Sequence, residues 1–151
     1  MAHVKSHAIP EGFHTITPYF TVQGAARLIE FLQQAFEAVE VRRSTMPDGT
    51  IMNAELRIGD SMVMLGEAPP ASSDVKPLTS MLYLYVADAD SVYQRAVKAS
   101  GKSIREPADQ IYGDRVGAIE DAWGNQWWIA TRKEDVPEDE LKRRMSQLKK
   151  S

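Results

Sequence analysis

Ile16-Thr17-Pro18-Tyr19-Phe20-Thr21-Val22 and Met81-Leu82-Tyr83-Leu84-Tyr85-Val86 are two short segments of one character. In the first, Ile16, Phe20 and Val22 alternate with Thr17, Tyr19 and Thr21; in the second, Leu82, Leu84 and Val86 alternate with Met81, Tyr83 and Tyr85. Alternation with period two predicts a strand covered on one face. Each segment is followed by apolar residues at 3–4 spacing. Gly24 to Phe36 puts Ala25, Leu28, Ile29, Leu32 and Phe36 on one side of a predicted helix, and Ala89 to Ala99 makes a second helix. Val22 and Val86 end the two strands, and the difference between 22 and 86 is 64. The same offset of 64 pairs Ile29 with Tyr93, Leu32 with Ala96, Ala35 with Ala99, and Leu65 with Ile129. A duplicated supersecondary unit is the simplest account. Its competitor is chance likeness between two helices of an α+β domain.

Working outward, Val39 to Thr45, Ile51 to Ile58 and Met62 to Leu65 read as the remaining strands of the first unit, with turns at Pro47-Asp48-Gly49 and Gly59-Asp60. Lys102 to Arg105, Arg115 to Ile119 and Gln126 to Thr131 are their counterparts, the last two flanking the turn Asp121-Ala122-Trp123-Gly124-Asn125. The expected fold is α+β, with two tandem βαβββ units. Repeat 1 spans about 15–66, a linker 67–79 holds Ala71, Ser72 and Ser73, and repeat 2 spans about 80–132, so that 14–132 is one domain. Residues 1–13 read as a loose arm. Residues 133–151 hold a charged terminal helix from Pro137 to Leu148, closed by Lys149 and Lys150.

The sequence has 151 residues, a length that buries roughly 70% of its unfolded surface without disulfide or metal. It has no cysteine, which removes disulfides, thiolate metal sites and cysteine nucleophiles. Eighteen basic against 21 acidic residues, net −3, and no basic stripe with interleaved aromatics argue against nucleic acid. No apolar run approaches a membrane span, and the first residues lack the apolar core of a signal peptide, so a cytoplasmic protein is expected. All three histidines, His3, His7 and His14, precede the first strand. A zinc or iron site downstream would have to be built from oxygen ligands alone, which suit magnesium, calcium or manganese. Ser61 has no histidine partner for a hydrolase triad, and Gly113-Asp114 and Gly124-Asn125 are too isolated to form a phosphate loop.

The chain resembles the glyoxalase/bleomycin-resistance/extradiol-dioxygenase (vicinal-oxygen-chelate) superfamily, and within it the PhnB-like branch. The resemblance spans about residues 15–132. It rests on Ile16 to Val22, on Met46-Pro47-Asp48-Gly49, and on Ala54-Glu55-Leu56-Arg57-Ile58-Gly59-Asp60-Ser61. In the second half it rests on Gln110-Ile111-Tyr112-Gly113-Asp114-Arg115 and Asp121-Ala122-Trp123-Gly124-Asn125-Gln126-Trp127. The resemblance implies a curved, mixed eight-stranded sheet cupping a cleft, and a homodimer. Members that use a metal take ligands from the first and last strand of each unit, positions that fall on Thr17, Met64, Met81 and Trp128. None of these is a good ligand for a hard or borderline divalent ion. Where the PhnB-like pattern often has histidine, this chain has Asn53. No metal and no cofactor are therefore expected.

If the alternation holds, the cleft is lined by Tyr19, Met64, Met81, Tyr83, Tyr85 and Trp128, an aromatic and thioether surface suited to a flat or apolar ligand. Trp127 then faces the opposite way and packs under a helix. Asn53, Glu55 and Arg57 share one strand face. Asn53 is a candidate ligand contact, and Glu55 a candidate general acid/base, with a solvated strand face as its structural alternative. Arg115 is a candidate clamp for a carboxylate or phosphate; its alternative is a pair with Asp114, Glu120 or Asp121. Two functions follow. One is metal-independent binding of a small aromatic or apolar molecule. The other is a lyase, isomerase or dioxygenase that uses an oxygen-ligated metal or Glu55 as base. A third reading, an interaction role for the terminal helix, has less to support it.

Overall fold

The computed structural model describes residues 8–69 and 78–148, in two compact units divided between Thr79 and Ser80. His3, His7, Ala71 to Ser73, Lys149 and Lys150 lie outside the described residues. Unit 1 runs β1 (Tyr19–Val22), α1 (Ala25–Phe36), β2 (Val39–Thr45), β3 (Ile51–Ile58) and β4 (Ser61–Glu67). Unit 2 runs β5 (Met81–Tyr85), α2 (Ala89–Lys98), β6 (Lys102–Asp109), β7 (Asp114–Glu120), β8 (Gln126–Arg132) and α3 (Glu138–Leu148). The eight strands form two four-stranded mixed sheets of identical order, β1-β4-β3-β2 and β5-β8-β7-β6. In each, the first strand lies parallel to the last, and the other pairs are antiparallel.

The duplication is visible residue by residue. Tyr19 pairs with Met64 and Tyr83 with Trp128, both members shifted by 64. The two middle strands of each unit in chain order differ by one: Arg42 pairs with Glu55 and Arg105 with Ala118, an offset of 63. One residue has been lost between the helix and the second strand of unit 2 relative to unit 1.

Each helix is fastened to its sheet in the same way. The first helical N–H groups have no partner within their own helix. In unit 1 the carboxylate of Glu67, at the end of β4, accepts from the N–H of Gly24 (2.7 Å) and of Ala25 (2.9 Å). In unit 2 Thr131 Oγ1, 64 residues on, accepts from Ala89 N–H at 2.8 Å and donates to the Val86 carbonyl at 2.8 Å. Glu67, expected to open the linker, is therefore the last strand residue and the cap of α1.

Helix α1 buries Leu28, Ile29, Leu32 and Phe36 against Phe20, Val22, Ala54, Leu56 and Leu65. Two expectations are corrected. Ile16 was expected to face this helix, yet it is 85% exposed. Pro18 has no N–H to donate, so the ladder starts at Tyr19, with only the Pro18 carbonyl accepting from Met64 N–H. β6 runs through Pro107 to Asp109 rather than stopping at Arg105, since it is the edge strand, where proline is tolerated. The terminal helix α3 buries no residue and is tied to the unit by Arg144, which donates to the Ile111 carbonyl and to Glu134.

The adjacent tryptophans divide as the alternation requires. Trp127 is 1% exposed, and Trp128 is half-buried on the other face. The Trp127 indole donates to buried Asp121, whose carboxylate also accepts from Trp123 N–H, Asn125 N–H and Asn125 Nδ2. Asn125 in turn accepts from Ser80 N–H at 2.9 Å. The Asp121–Asn125 turn is thus a structural clamp. Trp127→Ala is expected to lower unfolding free energy by roughly 3–5 kcal/mol, as large core truncations do. Trp128→Ala is expected to cost less than about 2 kcal/mol. Urea unfolding of both variants measures this, and equal losses would mean that the strand does not separate the two rings.

Candidate functional site: the helix-free sheet faces

Because side chains alternate, every residue that does not meet a helix lies on the other face of its sheet. In unit 1 that face carries Tyr19, Met64, Asn53 and Glu55, and in unit 2 Met81, Tyr83, Tyr85 and Trp128. Eight of the nine residues singled out from sequence therefore fall on helix-free faces, four in each unit. Arg115 does not. It lies on the α2 side, where its guanidinium takes both oxygens of Asp90 (2.7 and 3.1 Å) and one of Asp109 (3.2 Å). It pairs neither with Asp114, which points to the opposite face, nor with Glu120 or Asp121. Asp90 and Asp109 raise the Arg115 pKa further, so the group is a fixed structural cation.

Equivalent rows cross the two faces. In unit 1 the order is Tyr19–Met64–Glu55–Arg42, and in unit 2 it is Tyr83–Trp128–Ala118–Arg105. The first and last members are the same residue types, and the middle ones differ.

On unit 1, the described residues before β1, from Ala8 on, border the sheet. Residues 8–10 and 13–15 line a cavity of about 340 Å³ together with Thr17, Glu55 and Met64. His14 thus shares a cavity with Glu55, a meeting that the distance between them in sequence hid. Gly66 is glycine by necessity: an added Cβ would come within 2.8 Å of the Tyr19 hydroxyl and 2.5 Å of the Met52 carbonyl. Among the described residues no donor reaches the buried Oδ1 of Asn53.

On unit 2, Tyr83 and Tyr85 stand with ring centroids 5.3 Å apart. Both phenols donate to Oδ2 of Asp114, at 2.7 and 3.0 Å, while Arg132 Nε donates to Oδ1 at 2.5 Å. Asp114 is 2% exposed. Nothing local in the sequence marks it as the partner of two tyrosines. The Gly113-Asp114 pair was the available signal: an added Cβ on Gly113, at φ +102°, would sit 2.2 Å from the Glu134 carbonyl, so the glycine lets that segment close over Asp114. Trp128 donates its indole N–H to Gln126, and the Arg105 guanidinium lies 5.1 Å from its ring centroid. Arg132 sits 5.9 Å from the Tyr85 ring.

Metal chemistry fits these residues poorly. Thr17, Met64, Met81 and Trp128 supply one hydroxyl, two thioethers and an indole, and among the described residues no three His, Cys, Asp or Glu side chains cluster. Among the described residues, no helix is long and apolar enough to cross a membrane.

Burial alone would raise the Asp114 pKa. The hydrogen bonds from Tyr83, Arg132 and Tyr85 outweigh it and hold the carboxyl below the ordinary value of 3.8. Burial first, then Asp114, pushes the Tyr83 phenol well above its usual range, so it stays protonated and donating. A carboxylate with a depressed folded pKa contributes stability that is complete above its unfolded pKa and is lost as pH falls through the folded one. Asp114→Asn is therefore expected to lower Tm most at pH 5 and above, and progressively less below pH 3.8. Thermal melts of both proteins from neutral pH to about pH 2.5 check this; a difference independent of pH would remove Asp114 from the account.

Residues 12–129 match the family model described as the Glyoxalase/Bleomycin resistance protein/Dioxygenase superfamily. The uncharacterized protein Rv0887c of Mycobacterium tuberculosis (strain ATCC 25618 / H37Rv) is 34% identical over 139 residues, covering 87% of this chain and 82% of that protein. The uncharacterized protein Mb0911c of Mycobacterium bovis is likewise 34% identical over 139 residues, with 87% and 91% covered. Among solved structures, TioX from Micromonospora sp. ML1 superposes with a TM-score of 0.64 at 22% identity, over 78% of this chain and 95% of that one. The PhnB protein from Bacillus cereus gives 0.62 at 18% identity, over 78% and 99%. The fosfomycin resistance protein FosX from Mesorhizobium loti gives 0.57 at 19% identity, over 78% and 91%. These structural likenesses concern the fold; the sequence match fixes the family, and the chain belongs to the glyoxalase/bleomycin resistance protein/dioxygenase superfamily.

Proposed function

We propose that the chain binds a small aromatic or apolar organic molecule against a helix-free sheet face, that of unit 2 above all, without a transition metal. The observation that carries this reading is the pair Tyr83 and Tyr85, residues 41% and 61% exposed while one buried carboxylate holds both phenols. Exposed apolar surface forgoes roughly 25 cal/mol per Å² of burial, and a buried carboxylate is unfavourable unless fully hydrogen-bonded. Both are tolerated at one spot, which supports use of the rings for contact. Rings already fixed by hydrogen bonds lose little freedom when a ligand stacks on them. Met81 (62% exposed) and Trp128 extend the same surface. In unit 1, taken by itself, Tyr19 and Met64 lie on the helix-free face, and the cavity lined by Met64 would hold a small apolar molecule separately. The fold of FosX, named as a fosfomycin resistance protein, is in keeping with small-molecule recognition.

A second reading, as a lyase or isomerase, rests on Glu55 lining a cavity that also holds His14. Glu55 would serve as the general base there, with His14 near enough to the same space to handle a second proton.

A thermal-shift screen with neutral bicyclic aromatics such as 2-naphthol tests the binding reading. A raised Tm is expected, with affinity falling about tenfold in Tyr83→Ala, the scale of one lost aromatic contact. Elemental analysis of the same preparation should find zinc, nickel and iron far below one per chain. A metal present at one per chain and lost in Glu55→Gln would favour the catalytic reading instead. We also propose a homodimer, two-fold symmetry being the commonest closed arrangement. Light scattering at micromolar concentration should give twice the chain mass, and a monomer mass would end that proposal.

A further inference from the structure

The unit 2 face carries one cation, Arg105, that has no ion-pair partner among the described residues. Its side chains include Lys102, Arg105 and Arg132 against Asp114 and Glu120. Arg132 is committed to Asp114 and Asp135, and Lys102 stands directly opposite Glu120 in the strand register. Arg105 is left: among the described residues it makes no ion pair, and its guanidinium lies 5.1 Å from the Trp128 ring centroid. Its placement is built into the strand. β6 departs from regular register on both sides of it, between Ser103 and Arg105 and between Arg105 and Ala108. Irregularities of this kind re-aim a side chain. Across the row, Ala118 is small enough to let the guanidinium reach Trp128, where the equivalent residue of unit 1 is Glu55. Unit 1 thus pairs its Arg42 row with a carboxylate, and unit 2 has replaced that carboxylate with a methyl group.

We infer that the ligand of the unit 2 face is a planar organic anion, an aromatic or conjugated carboxylate or sulfonate. Its ring lies against Tyr83 and Trp128, and its charge is met by Arg105. This rests on the binding reading above and specifies its chemical class. Guanidinium suits the task because it is planar, weakly hydrated and always charged, so it stacks on an aromatic face and still presents a fork to two anionic oxygens. Contact with the Trp128 ring keeps it at the site before the ligand arrives. Arg105 is then the residue that sets specificity for charge.

The test uses two probes of equal shape, 2-naphthoate and 2-naphthamide, titrated against the full chain by tryptophan fluorescence. The anion is expected to bind about tenfold tighter than the amide at low salt, with the ratio shrinking as salt is added. Arg105→Met, which keeps the apolar stem, should bring the ratio close to one with unchanged Tm, and Arg105→Lys should keep part of the preference. Equal binding of the two probes to the wild type would overturn the anion assignment while leaving the binding reading in place. A preference that survives in Arg105→Met would overturn the role of Arg105. No binding of either probe to folded protein would overturn both the assignment and the reading on which it rests.

Discussion

Each half of this protein depends on a tie between the start of a helix and the end of its last strand. Ala25 and Ala89 begin their helices with N–H groups that have no helical partner, and side chains 42 residues downstream, Glu67 and Thr131, accept from them. The tie fixes the helix on one face of the sheet. It thereby closes the βαβ crossover, since the strand that supplies the cap is the one lying parallel to the strand before the helix. The chemistry differs between halves, a carboxylate in one and a hydroxyl in the other, while the geometry is kept. A carboxylate suits the helix of unit 1, which has no acidic residue in its first turn and a glycine at its N-cap. In unit 2, Asp88 already caps α2 through Ser91 N–H, and a hydroxyl suffices.

Once the helices are confined to one face, the other face of each sheet is what the chain can put to use. Two buried carboxylates in unit 2 divide the work. Asp121 organises the turn before β8 and holds the indole of Trp127 in the core. Asp114 holds Tyr83, Tyr85 and Arg132 on the helix-free face. Each accepts bonds from several elements, and that makes an ionised group tolerable in the interior. The rigidity of the aromatic surface follows from Asp114, and the direction of each tryptophan from the pleat.

The duplicated rows show where the halves have separated. Tyrosine and arginine persist at the two ends, while Met64 and Glu55 in one unit correspond to Trp128 and Ala118 in the other. Side chains under the helices must fill a packed volume and keep their apolar character. Those on the free face are released from that constraint, so chemistry can change there without loss of the fold. Unit 1 has a cavity bordered by the segment before β1, and unit 2 presents open aromatic rings.

What the sequence by itself determined is everything that depends on a local period. Alternation in Tyr19–Val22, Met81–Tyr85 and Gln126–Arg132 assigned faces, including opposite faces for Trp127 and Trp128, and the 64-residue repeat disclosed two like units before any strand was paired. The periods are properties of the chain's own geometry, so they can be read without knowing what the chain packs against. What only the tertiary structure decided is which distant residues meet. Asp114 was legible as a residue but not as the anchor of two tyrosines 29 and 31 positions earlier. A structural carboxylate pair was one of the two readings open for Arg115, and the partner proved to be Asp90, brought to it by α2, rather than Asp114, Glu120 or Asp121. The one-residue difference in offset between the middle two strands of each unit and its first and last, the irregularity beside Arg105, and the approach of His14 to Glu55 likewise depend on strand register and chain reversal. These are set by the sum of contacts across the sheet, and no single segment contains them.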